Sequence, residues 1–229
     1  MVRAFIDSNV IANWILVNGR VNELKKKIKI KEQMTKEINK LLNKYPKLKP
    51  SYKLLEIIRT NELKEYTFIV SDLVIAEIYN VICEEGKAKK LHSNGIPFRY
   101  WPKYIYKIKL NIYDEIEIID EIIKFVEIFI GIEKPINKIK HLERLKKPKK
   151  TWSEESILYD FGIFSGAILK LRCETYDALL FAQAFSEKCK YFVTEDSNLR
   201  KQLKKHKGKT KVVSAQYFLR DILKIKEKT

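Results

Sequence analysis

An acidic residue directly follows a short apolar run near the start of the chain: Val2–Ile6 leads into Asp7. Three further acids stand beside apolar stretches far along the sequence, and these are Glu77, Asp177 and Asp196. An isolated buried carboxylate is costly unless it is paired or bound to a metal ion. Because four carboxylates share this setting, the sequence favours a binding site for a hard cation such as Mg²⁺ or Mn²⁺.

The charge of the chain favours a polyanionic partner. Of its 229 residues, 46 are lysine or arginine and 29 are acidic, which gives a net charge of +17. A field of this sign attracts nucleic acid, which is the first candidate partner. The alternative is a composition that only reflects the lysine-rich and isoleucine-rich proteome of a heat-loving organism.

The cysteines and the hydropathy pattern indicate a cytoplasmic protein with no membrane span. The chain has three cysteines and no CxxC pair, so free thiols in a reducing cytosol are the simplest account. The N-terminus lacks the pattern of a signal peptide, because Asp7 and Asn9 interrupt its apolar run. No uncharged apolar stretch reaches the length of about 18 residues that a membrane helix needs.

Strands and helices alternate at both ends of the sequence, which predicts an α/β fold with a central, mainly parallel sheet flanked by helices. Short apolar runs predict strands at Val2–Ile6, Tyr66–Val70, 191–194 and 211–214. Apolar residues at helical spacing predict helices at 10–16, 21–45, 54–63, 72–85, 111–130, 153–172, 176–188 and 215–223, with a basic linker at 133–150. Gly86 is expected to end one of these helices and Thr175 to cap another.

The predicted elements bring the four acids towards one place. Asp7 and Asp196 each follow a strand, and ligands of open α/β sheets bind at the carboxyl ends of strands. Glu77 and Asp177 lie on the apolar faces of their helices, which should pack on the sheet. For Asp7, Asp177 and Asp196 the alternative is an ordinary helix cap or dipole partner. That alternative fits Glu77 poorly, because this residue lies in the middle of a helix.

Four short segments occur in a fixed order along the chain: Phe5-Ile-Asp-Ser-Asn-Val-Ile11, Ser71-Asp-Leu-Val-Ile-Ala-Glu77, Thr175-Tyr-Asp-Ala-Leu-Leu-Phe-Ala-Gln-Ala184 and Tyr191-Phe-Val-Thr-Glu-Asp196. Their order, and the close spacing of the last two, resemble the PIN-domain family of metal-dependent ribonucleases, which includes toxin nucleases of toxin–antitoxin pairs. The similar segments cover roughly half of the chain.

The resemblance implies a three-layer α/β fold and an endoribonuclease that uses Mg²⁺ or Mn²⁺ and leaves 5′-phosphate and 3′-hydroxyl ends. It implies a catalytic and metal-binding set made of Asp7, Glu77, Asp177 and Asp196. Ser8, Asn9 and Thr194 then match the polar residues that orient ligands or water. Glu195 follows a strand beside Asp196 and should point the other way.

The chain departs from a minimal member of that family in its length between the acids. We expect one PIN-like domain over residues 1–229, with basic or helical insertions near 21–63 and 87–150. These insertions bind substrate, bind a partner protein such as an antitoxin, or only enlarge the fold. The apolar stripe at 111–130 is expected either to pack inside the monomer or to form a homodimer.

Two basic segments are candidate RNA-binding sites. The first interleaves aromatic and basic residues, which suits stacking of bases on rings, although the rings can equally pack on the core. The second carries seven positive charges and no acid between residues 199 and 211, and its alternative is a solvated helix face. The candidate residues are Arg99, Tyr100, Trp101, Lys103, Arg200, Lys201, Lys204 and Lys205, whereas His92, His141 and His206 are expected to be ordinary surface residues.

Two other functions compete with an RNA-processing or toxin-like endoribonuclease. A haloacid-dehalogenase-like phosphatase also places a catalytic Asp after its first strand, but that chemistry needs a second Asp where this chain has Asn9. A non-catalytic RNA-binding or assembly protein on a degenerate nuclease fold is the second alternative, and the presence of all four acids argues against it.

Overall fold

A computed structural model of the protein describes residues 1–28, 30–60, 62–129, 143–144, 163–206 and 208–224. Its centre is an all-parallel sheet of four main strands: β1 (Val2–Ile6), β2 (Tyr66–Val70), β4 (Tyr191–Val193) and β5 (Lys211–Val213). A two-residue strand, β3 (Glu143–Arg144), pairs parallel with the end of β2. The strand order β3-β2-β1-β4-β5 places β1 in the middle of the sheet.

Helices flank this sheet, which confirms the predicted α/β fold with a mainly parallel sheet. The longer ones are α1 (Ser8–Lys27), α2 (Lys31–Lys44), α3 (Lys49–Arg59), α4 (Asp72–Ser93), α6 (Ile112–Phe129) and α8 (Thr175–Ser186). The shorter ones are α5 (Trp101–Tyr104), α7 (163–169), α9 (Ser197–Leu203) and α10 (Ala215–Tyr217), which continues into a π-helical turn at Phe218–Ile222.

Aromatic side chains connect the sheet to the helices. Phe5 of β1 stacks on Phe192 of β4, with ring centroids 5.5 Å apart, and Phe181 of α8 meets Phe192 edge to face. On the other side of the molecule, Trp14 of α1 packs edge to face against Phe125 and Phe129 of α6. Since all of these rings are buried, α1, α8 and the two central strands share one hydrophobic core.

Two helices have ends that differ from the sequence prediction. The single helix predicted at 21–45 is two helices, because α1 ends at Lys27 and α2 begins at Lys31. The helix predicted to end before Gly86 continues to Ser93. Gly86 has a packing role instead: an added Cβ would lie 3.3 Å from a methyl group of Leu110, so the glycine lets this side chain approach the helix.

The end of α4 is formed by Gly95 rather than by Gly86. Gly95 has φ +70°, a backbone conformation that glycine adopts without steric cost. Its N–H donates to the carbonyl of His92, and the N–H of Ile96 donates to that of Leu91. These two bonds form a Schellman motif, which satisfies carbonyls at the end of the helix.

Other predicted ends are off by a few residues. The helix predicted at 54–63 is α3, which begins earlier, at Lys49, and α1 begins at Ser8 rather than at residue 10. Thr175 is the first residue of α8 rather than its cap, and Glu174 precedes the helix without a side-chain cap bond. The linker at 133–150, apart from the backbone of β3, and the predicted helix start at Ser153 lie outside the described residues.

Helix α6 has two apolar faces. Phe125 and Phe129 are buried in the core, and Ile118, Ile122 and Val126 pack against it. Of the apolar stripe predicted at 111–130, Val126 packs against the core, whereas Ile116, Ile119 and Ile123 are 44–50% exposed. The stripe is therefore buried within the monomer only in part, and aromatic residues of the helix supply most of the core face. Among the described helices, none combines the length and apolar character of a membrane span.

We predict opposite effects of alanine at two glycines. Gly95→Ala should lower the free energy of unfolding by about 1–2 kcal/mol, because a Cβ is disfavoured at positive φ. Gly19→Ala should raise it by about 0.5–1 kcal/mol, because Gly19 lies inside α1 and an added Cβ would meet no atom within 4 Å. Urea denaturation measures both differences, and shifts of the same sign would contradict the assignment.

Candidate functional site

Two of the predicted acids lie at the carboxyl ends of neighbouring strands. Asp7 directly follows β1, and Asp196 lies three residues after the end of β4. The two strands pair parallel, with Ile6 opposite Val193. The N–H of Asp7 donates to the carbonyl of Val193 at 3.0 Å, which continues the pairing into the site. The prediction that both carboxylates lie at one edge of the sheet is therefore confirmed.

Asp7 is enclosed by protein, with only 1% of its surface exposed. Its Oδ1 accepts a hydrogen bond from the N–H of Ser8 at 2.9 Å, whereas its buried Oδ2 has no hydrogen-bond partner. Burial raises the pKa of Asp7 to about 7; the hydrogen bond from Thr194 opposes this rise, and the charges of Glu77 and Asp177 add to it. Three of the four predicted carboxylates are thus electrostatic neighbours.

Glu77 approaches the same place from α4. It lies in the second turn of that helix, one residue before the fully buried Ile78. Burial raises the pKa of Glu77, and a hydrogen bond from the Ser8 hydroxyl opposes the rise. The Ser8 hydroxyl also lies 3.5 Å from Asp7 Oδ1, so Ser8 connects the two carboxylates. Glu77 Oε2, like Asp7 Oδ2, is buried without a partner.

Asp177 joins the cluster from the first turn of α8. Burial, together with the nearby charges of Asp196, Glu77 and Glu174, raises its pKa to about 7. Its position near a helix N-terminus was the reason for considering an ordinary dipole partner. A dipole partner is stabilised in its charged form, whereas the surroundings of Asp177 favour the neutral form. The site therefore destabilises this charge.

Asp196 is held by the start of α9. It is the N-cap of α9, and its Oδ1 accepts hydrogen bonds from the N–H groups of Asn198 at 2.6 Å and Leu199 at 2.9 Å. The Thr194 hydroxyl accepts a bond from the N–H of Asp196 and lies 3.4 Å from Asn9 Oδ1. Ser8 and Thr194 thus contact acids of the predicted set, whereas Asn9 contacts Thr194. Capping occupies only Oδ1 of Asp196.

We name these four acids the carboxylate cluster (Asp7, Glu77, Asp177 and Asp196). Some features of the cluster suit the binding of a hard cation, and others do not. Two buried carboxylate oxygens without partners are costly, and a cation with oxygen ligands would satisfy them. In contrast, no three His, Cys, Asp or Glu side chains in the described ranges are grouped closely enough to hold a metal ion together. The carboxylates are neighbours, but they do not form a ready-made cage.

Glu195, which directly precedes Asp196, makes contacts outside the cluster. Glu195 Oε1 accepts a hydrogen bond at 2.9 Å from the N–H of Ala215, the first residue of α10, and its Oε2 lies 3.9 Å from Arg200. Arg200 in turn donates to the carbonyl of Thr194 at 2.6 Å. Glu195 therefore holds the end of the sheet to α10, and Arg200, a predicted RNA-binding residue, also has a structural role.

The second basic segment contributes to a groove between α9, β5 and α10, which we name the α9–β5 groove. Its lining includes the predicted residues Arg200, Lys201 and Lys204, but not Lys205. Two other residues of this lining, Lys211 and Tyr217, were not among the predicted RNA-binding residues. Their position could not be read from the sequence, because it depends on how α9 and α10 pack beside the edge strand.

The first basic segment lies elsewhere. Arg99, Tyr100, Trp101 and Lys103 follow the C-terminal end of α4, which ends 16 residues after Glu77, or about 24 Å along the helix axis. Phe98 and Tyr106 are 78% and 85% exposed, and none of the short helical turns at 98–107 has a buried residue. These rings therefore do not pack into the core, and they stand apart from the carboxylate cluster.

His206 is not the surface residue that the sequence analysis expected. Its ring packs edge to face against Phe181 and Phe185, and its Nε2 is buried without a hydrogen-bond partner. Burial lowers its pKa. This contact could not be predicted from local sequence, because the two phenylalanines lie on α8, more than 20 residues earlier. His92 is exposed, as expected, and His141 lies outside the described residues.

We predict that the carboxylate cluster makes the metal-free protein less stable as the pH rises. The pKa of Asp7 and that of Asp177 are about 7, above the unfolded value of about 3.9. The folded state therefore binds more protons than the unfolded state between about pH 4 and pH 7, and stability is lost across that range and slightly above it. Asp7→Asn should flatten this dependence and raise stability at pH 8.

Urea denaturation at pH 5 and pH 8, with a chelator present, measures the effect. The exposed Asp120→Asn variant is the control and should keep the pH dependence of the wild type. An unchanged pH dependence in the Asp7→Asn variant would show that Asp7 is ionised at pH 5 in the folded protein.

The chain is similar in sequence to an archaeal protein. It is 30% identical over 100 residues to an "Uncharacterized protein" of Archaeoglobus fulgidus, and the aligned region covers 44% of this chain and 74% of that protein. No family model and no solved structure matches the chain. At this identity and coverage the chain belongs to the same family as the Archaeoglobus fulgidus protein.

Proposed function

We propose that the protein is a metal-dependent endoribonuclease of the PIN type, which hydrolyses phosphodiester bonds of RNA at the carboxylate cluster. The observation that carries the proposal is the convergence of Asp7, Glu77, Asp177 and Asp196 from two strand ends and two helices, with unpartnered oxygens on Asp7 and Glu77. A fold under selection for stability alone has no reason to bury repelling carboxylates. Such strained groups cluster at functional sites.

The residues of the cluster divide into two tasks. Asp7 and Glu77 offer the unpartnered oxygens that would bind a cation directly. Asp196 is already fixed by α9, and Asp177 feels the charges of both Asp196 and Glu77. Mg²⁺ commonly uses one or two carboxylates and several waters, so a cage of three close protein ligands is not required. Bound there, the cation would supply Lewis-acid chemistry and a more acidic water.

The proton balance of the site follows from its pKa values. Asp7 and Asp177 have pKa values of about 7, so the neutral form of each is favoured more than in an exposed carboxyl group. A nearby cation favours the ionised form of both, which would restore the full set of acceptor oxygens. In the proposed reaction, water adds to phosphorus and the bond to the 3′ oxygen breaks, which leaves a 5′-phosphate and a 3′-hydroxyl.

The charge of the chain supports RNA as the substrate. The carboxylate cluster alone would repel a phosphate backbone, and the net charge of +17 offsets that repulsion at longer range. The three cysteines are free and buried, which fits the reducing cytoplasm that we propose as its location. Within this proposal the protein acts in RNA processing or as a toxin with an antitoxin partner, alone or as a homodimer through the exposed isoleucines of α6.

A second candidate is an RNA-binding protein without catalysis. It is favoured by the finding that no three potential ligands among the described residues are grouped around one point. Both candidates bind RNA, so binding does not distinguish them. RNA cleavage and metal binding distinguish the two candidates.

We predict that Asp7→Asn and Asp177→Asn each lower the rate of RNA cleavage by at least about a hundredfold. The reason is that even residues that only support a metal ligand commonly cost 10- to 100-fold. Cleavage of a generic single-stranded RNA with Mn²⁺ or Mg²⁺ measures the rate. Glu195→Gln is the matched control: it changes the acid next to Asp196, but its Oε1 can still accept from Ala215, so its rate should equal that of the wild type.

A second measurement tests the metal site without RNA. Mn²⁺ should raise the melting temperature of the wild type and of the Glu195→Gln variant, because an ion that binds only the folded state stabilises it. The rise should be lost in the Asp7→Asn variant. A wild type that binds RNA but neither cleaves it nor responds to Mn²⁺ would support the second candidate.

A further inference from the structure

The α9–β5 groove is a cavity of about 660 Å³ whose charged lining has one sign. Arg200, Lys201 and Lys204 come from α9 and its C-terminal end, and Lys211 comes from the start of β5. No Asp or Glu is among the described residues that line it. A low-dielectric cleft with charges of one sign concentrates the potential and attracts ligands of the opposite charge. The groove is therefore suited to an extended anion.

The side chains of the groove are available for contact to different degrees. Arg200 is half-buried and donates to the carbonyl of Thr194, so its position is fixed by the protein. Lys201, Lys204 and Lys211 are exposed. Tyr217 is 48% exposed on the same groove. An exposed ring beside exposed lysines is the pairing that single-stranded nucleic acid uses, since bases stack on the ring while phosphates meet the cations.

The groove begins next to the carboxylate cluster. Ser197, which lines it, directly follows Asp196. Arg200 and Lys204 come four and eight residues after Asp196, which places them about 6 Å and 12 Å along the α9 axis. A strand whose phosphate lies at the cluster can therefore continue into the groove within the first few nucleotides.

The geometry of the sheet favours nucleic acid over a peptide. In the described sheet β5 is the last strand after β4, and Lys211 and Val213 direct their backbone hydrogen bonds to β4. Since successive residues of a strand point these groups to alternate sides, only Val212 of this three-residue strand can offer its N–H and C=O to the groove. That is too little for an added peptide strand, whose affinity comes from main-chain hydrogen bonds.

We propose that the α9–β5 groove binds the single-stranded RNA that flanks the scissile bond, with Lys201, Lys204 and Lys211 on phosphates and the Tyr217 ring stacked on one base. This inference rests on the proposed function of the carboxylate cluster, and it adds the path of the substrate. Arg200 supports the groove wall. Lys205, although it belongs to the same basic run, lies outside the path.

Binding of a fluorescent single-stranded RNA, measured with a chelator so that no cleavage occurs, tests this path. The variant Lys201→Glu/Lys204→Glu/Lys211→Glu should bind roughly tenfold or more weakly and should lower the salt slope by about 2, since each single-strand phosphate contact contributes about 0.7. The same three changes on α2, at the exposed Lys31, Lys36 and Lys44, remove equal charge from another surface and should keep the slope.

Variants of Tyr217 test the contribution of base stacking to RNA affinity separately from that of charge. Tyr217→Ala should weaken binding roughly fivefold to a hundredfold without changing the salt slope, whereas Tyr217→Phe should bind like the wild type. The triple glutamine variant of Lys201, Lys204 and Lys211 repeats the test with a smaller change, and circular dichroism checks that both triple variants are folded.

The outcomes distinguish the two proposals. If the groove variants bind RNA with the affinity and salt slope of the wild type, the path is wrong, even if Asp7→Asn abolishes cleavage. If binding falls as expected but Asp7→Asn cleaves normally, the path stands and the proposed site of chemistry fails. A third outcome is that the protein does not bind RNA but binds poly-glutamate through the same lysines. The groove would then be a site for an acidic protein segment, and the proposal would be wrong.

Discussion

The candidate site depends on the parallel pairing of β1 with β4. These strands are separated by more than 180 residues in the sequence, and their contact is made by buried aromatic and aliphatic side chains. The pairing does not stop at the end of β1, because the N–H of Asp7 still bonds to Val193. The hydrophobic core therefore fixes where Asp7, Thr194 and Asp196 lie, and a change that shifted β4 by one residue would move Thr194 and Asp196 relative to Asp7.

The hydrophobic core that positions the carboxylates also disfavours their charged forms. Burial drives the pKa of Asp7 to about 7 and raises the pKa values of Glu77 and Asp177, so the same packing that orders these carboxylates disfavours their charge. The hydrogen bonds from Ser8 and Thr194 offset only part of this cost. Proteins tolerate such destabilised groups where function requires them. The unpartnered oxygens of Asp7 and Glu77 show where the compensation is missing.

Local sequence patterns were enough to predict the four main strands and the place of Asp7 and Asp196 after two of them. The strand Val2–Ile6, four apolar residues and Arg3 that lead into Asp7, carries its geometry in a few neighbouring residues. Features that depend on distant contacts were not predictable in this way. Gly86 was expected to end α4, but Leu110 packs on it, and His206 was expected at the surface, but two rings of α8 enclose it. The sequence left the buried face of α6 open for the same reason, since the contact of Phe125 and Phe129 with Trp14 of α1 depends on tertiary packing.

The carboxylate cluster and the α9–β5 groove have opposite charges, and one short segment joins them. Asp196 caps α9 with its carboxylate, and the same helix then carries Arg200, Lys201 and Lys204. A cation at the cluster and a polyanion in the groove would each neutralise one of these opposed charges. Binding of the cation would also favour binding of the polyanion, because a cation beside Asp7 neutralises the negative charge that a phosphate must approach. The bond from Arg200 to Thr194 holds the groove to the site, since Thr194 also touches Asp7 and Asp196. The position of α9 is thus set by the groups that set the position of the acids, and binding in the groove has a direct structural route to the carboxylate cluster.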